Sequence, residues 1–269
     1  MSSPTTFNVT ETVDLESVVI GDGPPLVILH GLFGQAKNWG GLTKRLARDF
    51  TVHAVDLRSH GGSPAGEPVN YPTMAADLIA YCQRHDLESP MVIGHSMGGK
   101  VAMWAALSAP TSMSRLVVAD IAPVTYDHAF GHYFQALKQI DLATLESRQA
   151  ADAILASHIA EKPIRDFLLS NLARTNAGSW QWDIDLPSIE AGIDAITGWP
   201  TETPGHFTKP TLFLNGGASD YVTPDLHDQI IALFPAAEFV TMAGVGHWIH
   251  AEKPAEFLSE VTKFLAVGE

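Results

Sequence analysis

Met91-Val-Ile-Gly-His-Ser-Met-Gly-Gly99 is a short apolar run that ends in Gly94-His95-Ser96-Met97-Gly98, the G-x-S-x-G spacing of a nucleophile elbow. A chain that turns from strand to helix within one residue forces that residue into a strained backbone, and side chains two positions away on either side would collide. Gly94 and Gly98 remove the collision. The following run, Lys100-Val-Ala-Met-Trp-Ala-Ala-Leu107, is rich in helix formers and supplies a helix whose N-terminus faces Ser96. Gly94 and Gly99-Lys100 also have the G-x-x-x-x-G-K spacing of a phosphate-binding loop, with Leu116-Val-Val-Ala-Asp120 as a matching acidic strand. Val101 stands where that loop needs a magnesium-holding hydroxyl, so the elbow is the better reading.

Around the elbow, short apolar runs alternate with helical patterns. Pro25–Leu29 and Thr51–Asp56 read as strands buried on both faces, and Phe7–Val13 with Glu16–Ile20 as a hairpin of half-buried strands. Met91–Ile93, Arg115–Ala119, Lys209–Leu214 and Glu238–Met242 continue the series. Asn38–Arg48 and Tyr71–His85 have a period near 3.6 residues. Such alternation predicts an α/β fold with a mostly parallel, eight-stranded sheet and helices on both faces. It stops between Pro123 and His206, where helical patterns around Phe130–Ile140, Leu145–Ile159 and Ile164–Arg174 predict an inserted helical cap. The expected division is therefore residues 1–122 and 207–269 for the core and 123–206 for the cap.

With 269 residues, 46% of them hydrophobic, the chain can bury a large core. Sixteen Lys and Arg against 30 Asp and Glu give a formal charge of −14 without a basic cluster, which argues against nucleic acid and anionic membrane as partners. One cysteine, Cys82, forms no intrachain disulfide and reads as a core residue. The start lacks a basic segment followed by an apolar one, and no apolar run is long enough for a membrane span, so a cytoplasmic location is expected. Oligomeric state is left open.

A serine hydroxyl needs a base and oxyanion donors to act as a nucleophile. Gly244-Val-Gly246-His247-Trp248 follows the last strand, and a loop there brings His247 over the sheet to Ser96. His30-Gly-Leu-Phe-Gly34 follows the third expected strand, where backbone N–H groups of Leu32 and of Met97 form an oxyanion hole. Among the other histidines, His250 reads as structural, His95 as pointing away from substrate, and His60 as shaping a turn. His128 and His132 have the spacing of a helical metal pair without a third ligand, so no metal is expected. Two acids fit the third position: Asp220, after the seventh expected strand, and Asp120, after the sixth. Both keep the order Ser, Asp, His, and spacing does not separate them.

Taken together, His30-Gly-Leu-Phe-Gly34 with Asn38-Trp39, Asp56-Leu-Arg-Ser-His-Gly-Gly-Ser-Pro64, the elbow through Lys100, Asp120-Ile-Ala-Pro-Val124 and Gly246-His-Trp-Ile-His250 resemble the α/β-hydrolase superfamily. Within it they resemble a group of bacterial esterases and mitochondrial relatives that includes alcohol acyltransferases. The resemblance covers nearly the whole chain; Ser59 departs from the group's Arg-Asn-His-Gly. It implies Asp120 as the acid, leaving Asp220 to cap a loop. The expected activity is hydrolysis of small carboxylic esters through an acyl-enzyme on Ser96, without a cofactor. Lactone hydrolysis, thioester hydrolysis and acyl transfer to an alcohol use the same groups, and a non-catalytic receptor is the alternative of another class. Ser96 argues against epoxide hydrolases and haloalkane dehalogenases, which need a carboxylate nucleophile. Phe33, Tyr126, Phe130, Trp180, Trp182 and Trp248, with Phe134, are candidates to line the substrate pocket.

Overall fold

The structure, a computed structural model, describes residues 11–127 and 129–266. Five apolar runs that alternate with helices become parallel strands: β2 (Pro25–Leu29), β3 (Thr51–Val55), β4 (Met91–His95), β5 (Arg115–Ala119) and β8 (Thr211–Gly216). With β1 (Ser17–Ile20) and β9 (Ala237–Met242) they form a sheet in the order β1-β3-β2-β4-β5-β8-β9, antiparallel only at β1.

Side chains alternate between the two faces, as the pleat requires. Val27, Leu29, Val92, Leu116 and Val118 pack with α2 (Tyr71–Arg84) and α3 (Met97–Ser108). Leu26, Ile28, Ile93, Val117 and Leu212 face α1 (Gly40–Leu46) and α11 (Pro254–Ala266). Asn70 starts α2 by accepting the Thr73 N–H at 3.0 Å, an ordinary N-cap.

The sheet has seven strands among the described residues, where eight were expected. Residues 7–10 of the expected first strand lie outside the described residues. Residues 11–13 leave the ladder because side chains take their backbone groups. The Val13 N–H donates to Asp77 Oδ1 at 2.9 Å, and Arg58 Nη2 donates to the Glu11 carbonyl at 3.3 Å. Among the described residues Glu16–Ile20 forms no hairpin; its strand, β1, pairs with β3.

Between β5 and β8 the chain forms α4 (Gly131–Lys138), α5 (Arg148–Ala156), α6 (Lys162–Leu169), α7 (Leu186–Ala191) and α8 (Ile193–Thr197). The helical pattern expected over Ile164–Arg174 is broken: Leu172–Arg174 is a strand, β6, paired with β7 (Trp180–Trp182). Arg174 lies opposite Trp180 in this ladder with its guanidinium 4.1 Å from the ring centroid, a cross-strand pair that favours the ribbon.

Strand order reverses at β2 and β4, since the chain leaves β2 toward β3 on one side and later enters β4 on the other. Loops after the carboxyl ends of these two strands therefore flank a crevice, the usual ligand position in an open α/β sheet. Those loops are His30–Gly34 and the Ser96 corner.

Candidate active site

Ser96 occupies the corner between β4 and α3 with φ 52° and ψ −120°, a strained backbone for a residue with a side chain. A Cβ on Gly94 would lie 2.4 Å from the Gly98 carbonyl oxygen, and one on Gly98 would lie 2.5 Å from that of His30. The corner closes only because both positions lack one. The strain is held by the first turn of α3, where the Lys100 N–H donates to the Ser96 carbonyl at 3.1 Å.

The loop after β9 brings His247 to this corner. Its Nε2 is 3.0 Å from Ser96 Oγ, and its Nδ1 is 2.7 Å from Asp120 Oδ2. Asp120, fully buried at the end of β5, also accepts the Gly216 N–H on Oδ1 at 2.8 Å and the Ser219 hydroxyl on Oδ2 at 2.5 Å. An acceptor-only carboxylate with these partners orients the imidazole so that Nδ1 carries the proton and Nε2 is left to accept one. Asp220, beside Ser219, is exposed, and the ring of His247 is held by Asp120. Tyr221 stacks on that ring with centroids 4.0 Å apart. His95 does not simply point away: its Nε2 donates to the His247 carbonyl at 2.9 Å, fixing the loop from below.

Two more histidines shape the His30–Gly34 loop. His30 Nδ1 donates to the Gly31 carbonyl at 2.8 Å, while Nε2 accepts the Leu57 N–H at 2.9 Å. His60 Nδ1 donates to the Arg58 carbonyl at 3.0 Å and Nε2 accepts the Phe33 N–H at 3.3 Å. Phe33 sits at φ 60°, and Asn171 from the inserted segment donates to its carbonyl at 2.8 Å. The Asn171 side-chain oxygen in turn accepts from Gln35. A strained residue is thus held by partners on both its N–H and its carbonyl.

These imidazoles are neutral because they are buried. Desolvation lowers His30 to about 4, His60 and His250 to about 3, and His95 well below 6.5. Below pH 6.5 the unfolded chain takes up protons at these positions that the folded chain refuses. Their contribution to stability is therefore complete above pH 6.5 and declines as pH falls toward about 4. Each can steepen the decline by at most about 1.4 kcal/mol per pH unit. Denaturant unfolding followed from neutral pH down to pH 4 is expected to give a falling free energy; a flat profile would contradict this reading of the four rings.

Lys100 holds no phosphate. Its side chain is 1% exposed and donates to the carbonyls of Val124 at 2.7 Å, Gly198 at 2.7 Å and Thr197 at 3.2 Å. All three ammonium donors are therefore engaged. Burial lowers its pKa to about 7, while the carbonyls and the rings of Tyr126 and Tyr71, 4.8 and 5.4 Å away, favour the charged form. Val124 begins the inserted segment and Gly198 lies near its return, so one ammonium ties both passages to the helix that carries the elbow.

Ser96 and His247 open into a cavity of about 200 Å³. Phe33, Phe130 and Trp248 line it, together with Tyr133, Phe167 and Leu168. Tyr126 and Met97 line a second chamber of about 30 Å³, which shares Leu32, Ser96, Phe130 and Tyr221 with the first. Trp180 and Trp182 line neither: Trp182 borders a groove beside Ser59, and Trp180 packs on Arg174. Phe134 is buried against Phe33, with ring centroids 5.2 Å apart. The cavity residues that sequence reasoning missed had a signal, since Ile164, Phe167 and Leu168 form an i, i+3, i+4 stripe on α6. Tyr221 had none beyond its place next to a candidate acid.

His132 Nδ1 donates to the Ala129 carbonyl at 2.9 Å, and His128, the other member of that spaced pair, lies outside the described residues. Among the described residues no three His, Cys, Asp or Glu side chains gather to hold a metal, and no helix is long and apolar enough to cross a membrane.

The chain belongs to the alpha/beta hydrolase fold family, whose profile matches residues 24–254. It is 40% identical over 253 residues to the sn-1-specific diacylglycerol lipase ABHD11 of Danio rerio, covering 91% of this chain and 79% of the relative. It is 37% identical to the esterase YbfF of Escherichia coli strain K12, covering 90% of this chain and 92% of that one. A solved marine microorganism esterase superposes with a TM-score of 0.90 at 38% identity, covering 94% of this chain and all of the other.

Proposed function

We propose that Ser96, His247 and Asp120 are the nucleophile, general base and orienting acid of this carboxylic ester hydrolase, with the backbone N–H groups of Leu32 and Met97 binding the oxyanion. The protein is a serine ester hydrolase, in keeping with the esterase and lipase relatives. The observation that carries the assignment of roles is the unbroken chain from Ser96 Oγ through both nitrogens of His247 to Asp120, at 3.0 and 2.7 Å. In the first half-reaction Ser96 Oγ attacks the ester carbonyl as Nε2 takes its proton, and the same proton then goes to the departing alcohol. Water repeats the sequence in reverse on the acyl-enzyme, releasing the acid and restoring Ser96. Asp120 keeps the imidazole in the required tautomer throughout.

Residues 123–206 act as a cap over this chemistry, fastened to the core by Lys100 and Asn171. Small-molecule esters are the substrates, and lactones fit the same nucleophile. A cytoplasmic setting belongs to the same reading and is supported by the single, buried Cys82, which forms no disulfide.

A panel of short esters, lactones and acyl thioesters, run with and without an organophosphorus probe, tests the function. Ester hydrolysis is expected, with loss of activity matching phosphonylation of Ser96 one for one. Added ethanol measures how much acyl group goes to alcohol instead of water. Full activity in protein that the probe has not labelled at Ser96 would overturn the reading.

A further inference from the structure

We infer that the two chambers meeting at Ser96 sort the two ends of the ester. The small one takes the acyl group and the large one the alcohol, so that the substrates are acetyl or propanoyl esters of bulky apolar alcohols. The inference rests on the triad proposed above and adds the substrate class to it.

Proton transfer sets the direction. The alcohol oxygen leaves with the proton carried by His247 Nε2, so it must depart on the side of that ring. His247 and Trp248 line the large cavity and are absent from the lining of the small one, while Leu32, Ser96, Phe130 and Tyr221 line both. With the carbonyl carbon at Ser96, the Oγ–carbon bond forms on the shared wall and the carbon–alkoxide bond breaks toward His247. The acyl chain then points toward Tyr71, Tyr126, Ile121 and Ile196.

Size and chemistry then define the two groups. The small chamber offers about 30 Å³ against about 200 Å³ for the large one. One water needs roughly 10 to 15 Å³ of such space, so a methyl or ethyl group fits and a long chain does not. The polar atoms around it are engaged by protein. Lys100 has its three carbonyls, the Tyr71 hydroxyl donates to the Ile196 carbonyl, and the Tyr126 hydroxyl accepts from the Ala122 N–H at 2.8 Å and donates to the Tyr221 carbonyl at 2.5 Å. What faces the acyl group is ring surface and aliphatic carbon, which suits a short unsubstituted acyl chain and not an acid-bearing one. The large cavity alone presents Tyr133, Phe167, Leu168 and Trp248, surfaces for a bulky apolar alcohol.

Isomeric esters provide the experiment, because they hold composition constant and exchange only the ends. The kcat/KM of octyl acetate is compared with that of ethyl octanoate, and 2-phenylethyl acetate with ethyl phenylacetate, with Ser96 labelling run in parallel. At least about a tenfold preference for each acetate is expected, the lower range for a methylene that a pocket rejects. Ile196→Ala, which widens the small chamber and leaves the backbone carbonyl that Tyr71 uses, is expected to raise 2-phenylethyl butanoate turnover relative to the acetate. Ile121→Ala is the second variant if the first does not fold. Equal or faster cleavage of the acyl-large isomers by protein that labels at Ser96 would overturn the chamber assignment alone. No cleavage of any isomer and no label at Ser96 would overturn it together with the triad.

Discussion

Ser96→Ala is expected to lower kcat on a short ester by roughly 10⁴- to 10⁶-fold while leaving the near-UV circular dichroism and the unfolding midpoint close to those of the parent. The loss is large because, in the proposed mechanism, the hydroxyl forms the bond on which every later step depends, and among the described residues no other hydroxyl shares the Nε2 contact at 3.0 Å. The fold should tolerate the change because alanine deletes only a hydroxyl that faces the cavity. His247→Ala should cost a similar factor, and the double variant little more than either alone, since groups that act as one unit are not additive. Steady-state kinetics on the three proteins checks this. A Ser96→Ala enzyme within tenfold of the parent would place the nucleophile elsewhere.

Asp120→Asn is expected to cost about 10⁴-fold in kcat, as removing the charge from this position does in other serine triads. An amide can present its NH₂ group to Nδ1, which favours the tautomer with the proton on Nε2, where it cannot accept from Ser96. The same exchange also disturbs the acceptors used by the Gly216 N–H and the Ser219 hydroxyl. Asp220→Asn should stay within a few-fold of the parent, because that carboxylate is exposed and the imidazole is already held by its neighbour in space. Measuring both variants on one ester, with KM and kcat separated, distinguishes the two acids. Collapse of the Asp220 variant with an active Asp120 variant would reverse the assignment.

The features legible in the sequence were those whose cause is local. The elbow is written in glycine spacing because a Cβ at Gly94 or Gly98 would strike backbone, and the parallel strands are written in continuous apolar runs because both their faces are covered. Spacing did not separate Asp120 from Asp220; only the resemblance implied Asp120. Both follow strands, and which carboxylate meets the ring depends on how the last loop crosses the sheet edge, across 127 residues of chain.

The pocket was partly legible for the same reason. Phe33, Phe130 and Trp248 adjoin segments that carry other signals, whereas Trp180 and Trp182 are aromatic residues on a two-stranded ribbon whose pairing, and hence direction, no local pattern gave. At the N-terminal edge, Asp77 and Arg58 take backbone groups from residues 11–13 that alternation had assigned to the sheet.

Mass spectrometry of protein quenched in acid during turnover of 4-nitrophenyl acetate reports on the nucleophile without the intermediary of a variant. Acetyl mass on the peptide that contains Ser96, appearing with the first turnover and lost when substrate is exhausted, is the expected result. Acetylation confined to another residue, or steady release of nitrophenol with Ser96 unmodified at every time point, would contradict the assignment of that hydroxyl as the group His247 activates.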